Sequence, residues 1–535
     1  MKKTTSNSIK RNLITALSLM MTATMLASCG SGYDGSESRK SGSYNNERTT
    51  AENYRSSNVT AGDTDGTANI GGGYNTEEYN HLTENGYKLV SDEPLSTFST
   101  DVDTASYTNV RRMINDGWEV DPDAVRTEEF INYFKYDYEK PTEGAVSINT
   151  ELSDCPWLML VGLQAREAKV KDVPTNLVFL IDVSGSMEDE DKLPLVQQAF
   201  SMLAENLGTD DRVSIVTYAG SDSVVLEGES GDNSEEIVSA LNSLSAGGST
   251  AGAAGITTAY KLAEEYFIEG GNNRVILATD GDLNVGLSSE EELTDLISQK
   301  RDSGVYLSVL GFGSGNYKDN RLEALADNGN GNYAYIDSVD EAKRVLVTEM
   351  SGTLFTVAKD AKVQIEFNPE NVSAYRLVGY ENRLLNDEDF EDDTKDAGDI
   401  GSGQQVTVLY EIVPNNGNEK SLKYQDNESK AETNELSGEM LTVSVRYKDP
   451  EASESKLIDK SVMCSDYTEA VSQNFAKACS AAEFAMVLRN SDYASGLTAQ
   501  GVVDYMEQNN VDNSELFELI YKYMQNGTGS EASYW

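Results

Sequence analysis

Five short apolar runs, separated by stretches with helical periodicity, organise the central third of this chain. Residues 177–181 (Leu-Val-Phe-Leu-Ile) are uniformly apolar and stop on Asp182, and residues 275–279 form a second such run that stops on Asp280. A run without alternation reads as a strand covered on both faces, as in a parallel sheet. Runs at 212–218, 305–311 and 333–336 read as further strands. Between them apolar residues recur at helical spacing: Leu193, Val196, Phe200, Leu203 and Leu207, then Ile237, Leu241 and Leu244, then Ile256, Tyr260, Ala263 and Phe267. Ser289-Glu290-Glu291-Glu292 reads as a capping box opening a helix that stops at Gly304, 321–326 as another helix, and Ser338-Val339-Asp340-Glu341 as the cap of the last. Strands alternating with helices predict an α/β domain over residues 173–352, with a central, mostly parallel sheet and helices on both faces. Ligands of such sheets bind beyond the carboxyl ends of the strands, which is where Asp182 and Asp280 fall.

The flanks read differently. From 353 to 458 the helical stripes vanish, and runs at 361–367, 374–380, 405–413 and 441–447 are rich in β-branched and aromatic residues. They predict a β-sandwich. Two strand-like runs in 146–172 precede the α/β domain too closely to make a sheet alone. They are expected to pair with the later strands, so that the α/β domain is an insertion in the sandwich. Residues 93–145 hold an amphipathic stretch at 110–114 and a helix at 125–134 with Phe130 and Phe134 on one face. Asp101 and Asp103 fit a helix-start cap better than a second cation site. Residues 459–535 are helical, with Leu516, Leu519, Ile520 and Tyr523 in one stripe and Gly527 as a stop.

At the other end, Lys2, Lys3, Lys10 and Arg11 precede a mostly apolar stretch from Leu13 to Ala27. This is the layout of a secretory signal over residues 1–28. Leu26-Ala27-Ser28-Cys29 resembles the lipobox of bacterial lipoproteins, which implies lipid modification of Cys29 and a location in the cell envelope, on the extracytoplasmic side of a bacterial membrane. Residues 29–92 are rich in Gly, Ser, Asn and Thr and read as a disordered tether, spanning about 40 Å as a flexible chain. The one histidine of the chain, His81, falls in it. Of the remaining cysteines, Cys155, Cys464 and Cys479, the last sits on a helical apolar stripe and reads as a core residue.

Composition narrows the function. In 535 residues, 42 basic and 90 acidic side chains give a formal charge of −48, a field that repels nucleic acid and anionic lipid and attracts divalent cations. Asp182-Val183-Ser184-Gly185-Ser186-Met187 sets a carboxylate and two hydroxyls on one short turn. Such hard oxygen donors suit Mg²⁺, or Mn²⁺ or Ca²⁺, rather than zinc. Gly247-Gly248-Ser249-Thr250 then supplies a hydroxyl at a helix start, and Asp280 a second carboxylate.

These residues, in this order, resemble the metal-ion-dependent adhesion site (MIDAS) of von Willebrand factor type A (VWA) domains, a Rossmann-like fold. The passages before and after the domain resemble the YfbK-like group of bacterial VWA lipoproteins. The resemblance implies a metal held by Asp182, Ser184, Ser186, Thr250 and Asp280, the aspartates acting partly through water. It further implies an open position filled by a partner's Asp or Glu carboxylate, so the metal bridges two proteins and catalyses nothing. The expectation is a lipid-anchored adhesion or scaffold module rather than an enzyme. The alternatives are a metal-dependent envelope hydrolase, or a subunit working with a separate ATPase. The first lacks a histidine for acid–base work outside the tether, leaving only Ser453-Glu454-Ser455-Lys456 as a Ser/Lys pair, in a polar loop. Gly311-Phe312-Gly313-Ser314-Gly315 lacks phosphate-loop spacing and reads as a strand-exit turn. The acidic run 387–393 reads as a solvated turn.

Overall fold

The structure is a computed structural model. It describes residues 77–527 apart from 101, 155–156, 168–172, 249–252, 282–289, 316, 350–351, 353–354, 416–437, 451 and 469. The signal-like segment, Cys29, the tether up to 76, Asp101, Cys155, Thr250 and Ser289 lie outside the described residues.

Strands β1 (Lys88–Leu89) and β2 (Leu95–Ser99) lead into helices α1 (Ala105–Asp116) and α2 (Thr127–Tyr133) and a hairpin of β3 (Val146–Asp154) and β4 (Trp157–Ala165). The α/β domain follows as β5 (Thr175–Asp182), α3 (Leu193–Ala204), β6 (Arg212–Ala219), β7 (Ser221–Ser230), α4 (Ser234–Asn242), α5 (Ala253–Glu265), β8 (Asn272–Thr279), α6 (Glu290–Asp302), β9 (Val305–Phe312), α7 (Asp319–Asn328), β10 (Tyr333–Ile336) and α8 (Val339–Lys343). Next come β11 (Thr356–Phe367), β12 (Val372–Val378), β13 (Gly398–Gly401), β14 (Gln405–Pro414), β15 (Glu439–Lys448), β16 (Lys456–Met463) and β17 (Tyr467–Thr468). Helices α9 (Gln473–Leu488), α10 (Ala499–Asn509) and α11 (Ser514–Gln525) end the described chain.

The central sheet has the order β10-β9-β8-β5-β6-β7. Its pairs are parallel except β6–β7. Every residue of β5 is buried. Leu177, Phe179 and Ile181 face the core under α3, α4 and α8, while Val178 and Leu180 face the one under α5, α6 and α7. A uniformly apolar run is what two covered faces require. Strand β7 is a feature the sequence reading missed. Only Val224, Val225 and Leu226 are apolar in it, and it lies exposed at the sheet edge, joined to β6 by a turn at Gly220 with φ +67°.

The second body is a sandwich of sheets β1-β12-β14-β4-β3-β17 and β13-β11-β15-β16, with β2 added on β11. Strand β4 pairs with β14 from Gln164↔Gln405 to Leu158↔Glu411, so the chain leaves this sheet, builds the α/β domain and returns. The sandwich continues through β16 and β17, past the boundary at 458 drawn from sequence, and helix begins only at Gln473. Ser472, Thr498 and Asn513 cap the three last helices, each accepting a backbone N–H of the first turn. These helices share one core with α1 and α2, through Tyr107, Phe130, Phe484, Leu516 and Ile520. Cys479 is buried in it, and Cys464 and Cys479 are free thiols.

Residues 77–92, read from composition as the end of the tether, are instead built into the fold. Strand β1 pairs with β12, Asn85 donates to the Leu377 and Gly379 carbonyls, and Val90 is buried. Glu77 binds Arg112 at 3.0 Å and accepts the Gly315 N–H at 2.9 Å. The polar residues that suggested a tether serve buried backbone and a buried arginine. His81 is part of this segment, exposed and 2.7 Å from Asp123. Removing one partner of a buried ion pair strands the other charge, so Glu77→Ala is expected to cost about 3 kcal/mol in chemical denaturation. A loss below about 0.5 kcal/mol, the range of ordinary surface substitutions, would return this segment to the tether.

Asp103 likewise has a role other than the one expected. It accepts the Tyr333 N–H at 2.9 Å and faces Arg383 at 3.5 Å, while Thr104 is the N-cap residue of α1. The acidic run 387–393 packs onto the sandwich rather than into solvent alone: Asp387 accepts from Thr97 and Asp393 from Ser455.

Candidate metal centre

The centre of the parallel sheet ends on Asp182 of β5, and the neighbouring β8 delivers Asp280 one residue past its end. Both carboxylates are buried, at 0% and 2% exposure. The loop after β5 is held by its own chemistry. Asp182 accepts the Ser184 N–H at 2.8 Å, and Met187 drops into the core as an anchor. Gly185–Glu188 then forms a 3-10 turn. This brings the Ser184 and Ser186 hydroxyls to 3.0 Å from each other, the first buried and the second exposed.

The loop that carries Thr250 is stitched to this turn just before the described chain breaks. Gly247 donates to the Val183 carbonyl at 2.8 Å, and Gly185 donates to the Gly248 carbonyl at 3.3 Å. Thr250 itself lies outside the described residues. The structure thus brings together Asp182, Ser184, Ser186 and Asp280. It also adds residues the sequence reading did not single out. Thr279 donates to Asp182 at 3.3 Å and accepts the Gly281 N–H at 3.1 Å. Lys192, one residue before α3, reaches the Ser186 carbonyl at 2.9 Å and Asp280 at 3.2 Å. The sequence signal for Lys192 was present: it follows four consecutive acids and is the one basic residue between Lys171 and Arg212.

Burial pushes the Asp182 carboxyl up to about 6, and the Asp280 charge adds to that, against the hydrogen bond from Ser184. Two buried carboxylates at one sheet edge are costly as they stand, and a dication beside them removes that cost. Among the described residues, no cluster of three or more His, Cys, Asp or Glu side chains is placed to hold a metal. The donors this rim would offer an ion are hydroxyls and two carboxylates, a set that fits a hard cation. Gly281 adopts φ +94°, and a Cβ there would lie 2.6 Å from the Lys318 nitrogen. Gly281→Ala is expected to cost about 1–3 kcal/mol and to weaken the metal response by displacing Asp280, as a Mn²⁺ titration followed by melting temperature would record.

The Ser/Lys stretch forms no dyad. Ser455 donates to Asp393 and accepts from Arg446, and Lys456 pairs with Asp449.

Three parts of the chain match known families. Residues 176–347 match the family described as von Willebrand factor type A domain, residues 73–161 that described as von Willebrand factor, and residues 352–525 that described as Uncharacterized protein YfbK, C-terminal. YfbK of Escherichia coli (strain K12) is 40% identical over 450 residues, covering 81% of this chain and 78% of that one. Among solved structures, a von Willebrand factor type A protein from Catenulispora acidiphila covers 70% of this chain and 89% of that chain, at 17% identity and a TM-score of 0.40. The proximal thread matrix protein 1 of the mussel byssus, with a zinc-occupied MIDAS motif, covers 32% of this chain and 44% of that chain, at 23% identity and a TM-score of 0.28. With a Rossmann-like domain of this type between sandwich strands, a helical C-terminal region, and 40% identity to YfbK over most of its length, the chain belongs to the YfbK family of VWA-domain proteins.

Proposed function

We propose that this protein is a lipid-anchored binding module of the bacterial cell envelope that grips an acidic group of a protein partner through a divalent cation. The observation that carries this reading is the convergence of Asp182, Ser184, Ser186 and Asp280 at the carboxyl edge of the sheet, with the Ser186 hydroxyl exposed. A divalent cation there supplies a strong, directional bond to a partner carboxylate. The chain's own part is to hold two hydroxyls and two carboxylates in place before the partner arrives. Asp182 fixes the turn through the Ser184 N–H, and the buried Met187 anchors the turn, with Ser184 buried and Ser186 exposed. Thr250 is assigned to the same ion from its place in the motif, and Mg²⁺ is the ion the oxygen donors favour. The envelope location and the lipid on Cys29 are supported by the signal-like N-terminus.

The test is capture of envelope proteins by the full chain in Mg²⁺ and in EDTA, with crosslinking on intact cells to identify what is held. Capture that is lost in EDTA and returns with Mg²⁺ is the expected result. Capture unchanged by EDTA would overturn the metal bridge, and hydrolysis of an envelope substrate that requires Asp182 would replace binding by catalysis.

A further inference from the structure

Lys192 is a charged feature of the metal rim that the five-residue motif does not include. It is 6% exposed, and its ammonium hydrogen-bonds the Ser186 carbonyl at 2.9 Å and the Asp280 carboxylate at 3.2 Å. Among the described residues the other acid within reach is Asp189, 4.0 Å away with its side chain 75% exposed, so Asp280 is the main counter-charge there. The stem is clamped as well as the head. Gly313, at φ +75°, covers the lysine methylenes so closely that a Cβ there would lie 2.4 Å from both Cγ and Cε. Lys192 also belongs to the framework of α3: its N–H donates to the Asp189 carbonyl and its carbonyl accepts the Val196 N–H. The ammonium therefore has one place to sit, between the loop after β5 and the loop after β8.

Three elements that the chain brings together from far apart, the serine turn, the Asp280 loop and the Gly313 turn, meet on this one cation. Two buried carboxylates without it would repel each other and loosen the rim, and two carboxylates with it carry one net negative charge instead of two.

Resting on the reading of this rim as a metal site, we infer that Lys192 is a built-in counter-cation that holds the rim together before metal arrives and sets how tightly a dication binds. It shares the Asp280 carboxylate with the incoming ion and repels that ion, so the wild-type site is preformed yet weak. Removing the ammonium does two opposite things: it loosens the metal-free rim and it tightens the site for a dication. A lysine whose role was packing alone would do the first and leave the second unchanged.

The experiment uses the full chain as wild type, Lys192→Met, Lys192→Gln and Asp182→Ala. Met keeps the stem under Gly313, and Gln keeps a donor toward Asp280 without the charge. Mn²⁺ alone is the probe, titrated by calorimetry, with melting temperature in EDTA and in excess Mn²⁺ as the second readout. The expected result is that both Lys192 variants melt below wild type in EDTA, bind Mn²⁺ about tenfold more tightly, as loss of one nearby like charge predicts, and gain more in melting temperature from Mn²⁺ than wild type does. Asp182→Ala gains nothing. Variants that bind Mn²⁺ no more tightly than a responsive wild type overturn the counter-cation role and leave the metal site standing. A wild type that does not bind Mn²⁺ overturns the metal reading and this inference with it.

Discussion

Asp182→Ala is expected to abolish stabilisation by divalent cations while leaving the fold intact. At a Mn²⁺ concentration one hundred times its dissociation constant, wild type gains about 2.7 kcal/mol from binding, and the variant should gain none. In EDTA near pH 7 the two should lie within about 1 kcal/mol of each other, because truncation removes a buried carboxylate along with its hydrogen bonds to Ser184 and Thr279. The pH dependence has a definite sign. Burial raises the folded-state value of Asp182 to about 6, above the ordinary value near 4. The native state therefore binds the proton more tightly than the unfolded chain does, and wild type loses stability as pH rises from about 4 to about 6. Asp182→Ala lacks that loss, so in EDTA its stability relative to wild type is better at pH 8 than at pH 4. Thermal melting across this range with and without Mn²⁺ decides the matter; a full metal response in the variant would remove Asp182 from the site.

Arg126→Leu is expected to produce the largest loss of stability. This arginine, 3% exposed, sits one residue before α2 and binds Glu129 at 2.8 Å, Glu323 at 2.9 Å and also Asp319. Glu323 and Asp319 belong to α7, so one guanidinium joins the N-terminal helices to the α/β domain. All three carboxylates are buried. Breaking a buried pair by removing one partner costs about 3–5 kcal/mol, and here one substitution takes the guanidinium from three acids at once, leaving Glu323 with Arg383, Glu129 with the Ser106 N–H and Asp319 with the Tyr333 hydroxyl. The loss should shrink on acidification, since burial raises the Glu323 carboxyl and Arg126 is the main charge opposing that rise, so without the arginine Glu323 takes up a proton more readily in the native state. Urea denaturation at pH 8 and pH 5 measures both effects. A loss below about 1 kcal/mol at pH 8 would mean that water or rearrangement satisfies these acids, against their burial.

How much of this was legible follows from what each signal depends on. The strand under Asp182 was readable because a strand covered on both faces must be apolar at every position. Strand β7 was not, because an exposed edge strand places no such demand on its side chains: Ser221, Asp222 and Ser223 read as loop until the hairpin with β6 is seen. Residues 77–92 were misassigned for a related reason. Composition measures how much apolar surface a segment can bury, and Glu77, Asn85 and Tyr87 are held by hydrogen bonds and charge, which composition does not register. At the metal rim, Asp182, Ser184 and Ser186 were legible because their spacing is local. Lys192 stood out locally, after four acids, but its role was not readable, because that depends on Asp280, 88 positions away in the chain.

Sequence by itself determined which segments form the parallel sheet, which loop carries the oxygen donors and how strongly acidic the molecule is. All of these follow from local periodicity, spacing or composition. Tertiary structure alone decided that Asp280 and Lys192 share one site and that the helices at the two ends of the chain share one core. It also decided that Arg126 serves three buried acids. Those facts arise from long-range closure of the chain, where a charge or an aromatic ring acquires its role from partners distant in sequence.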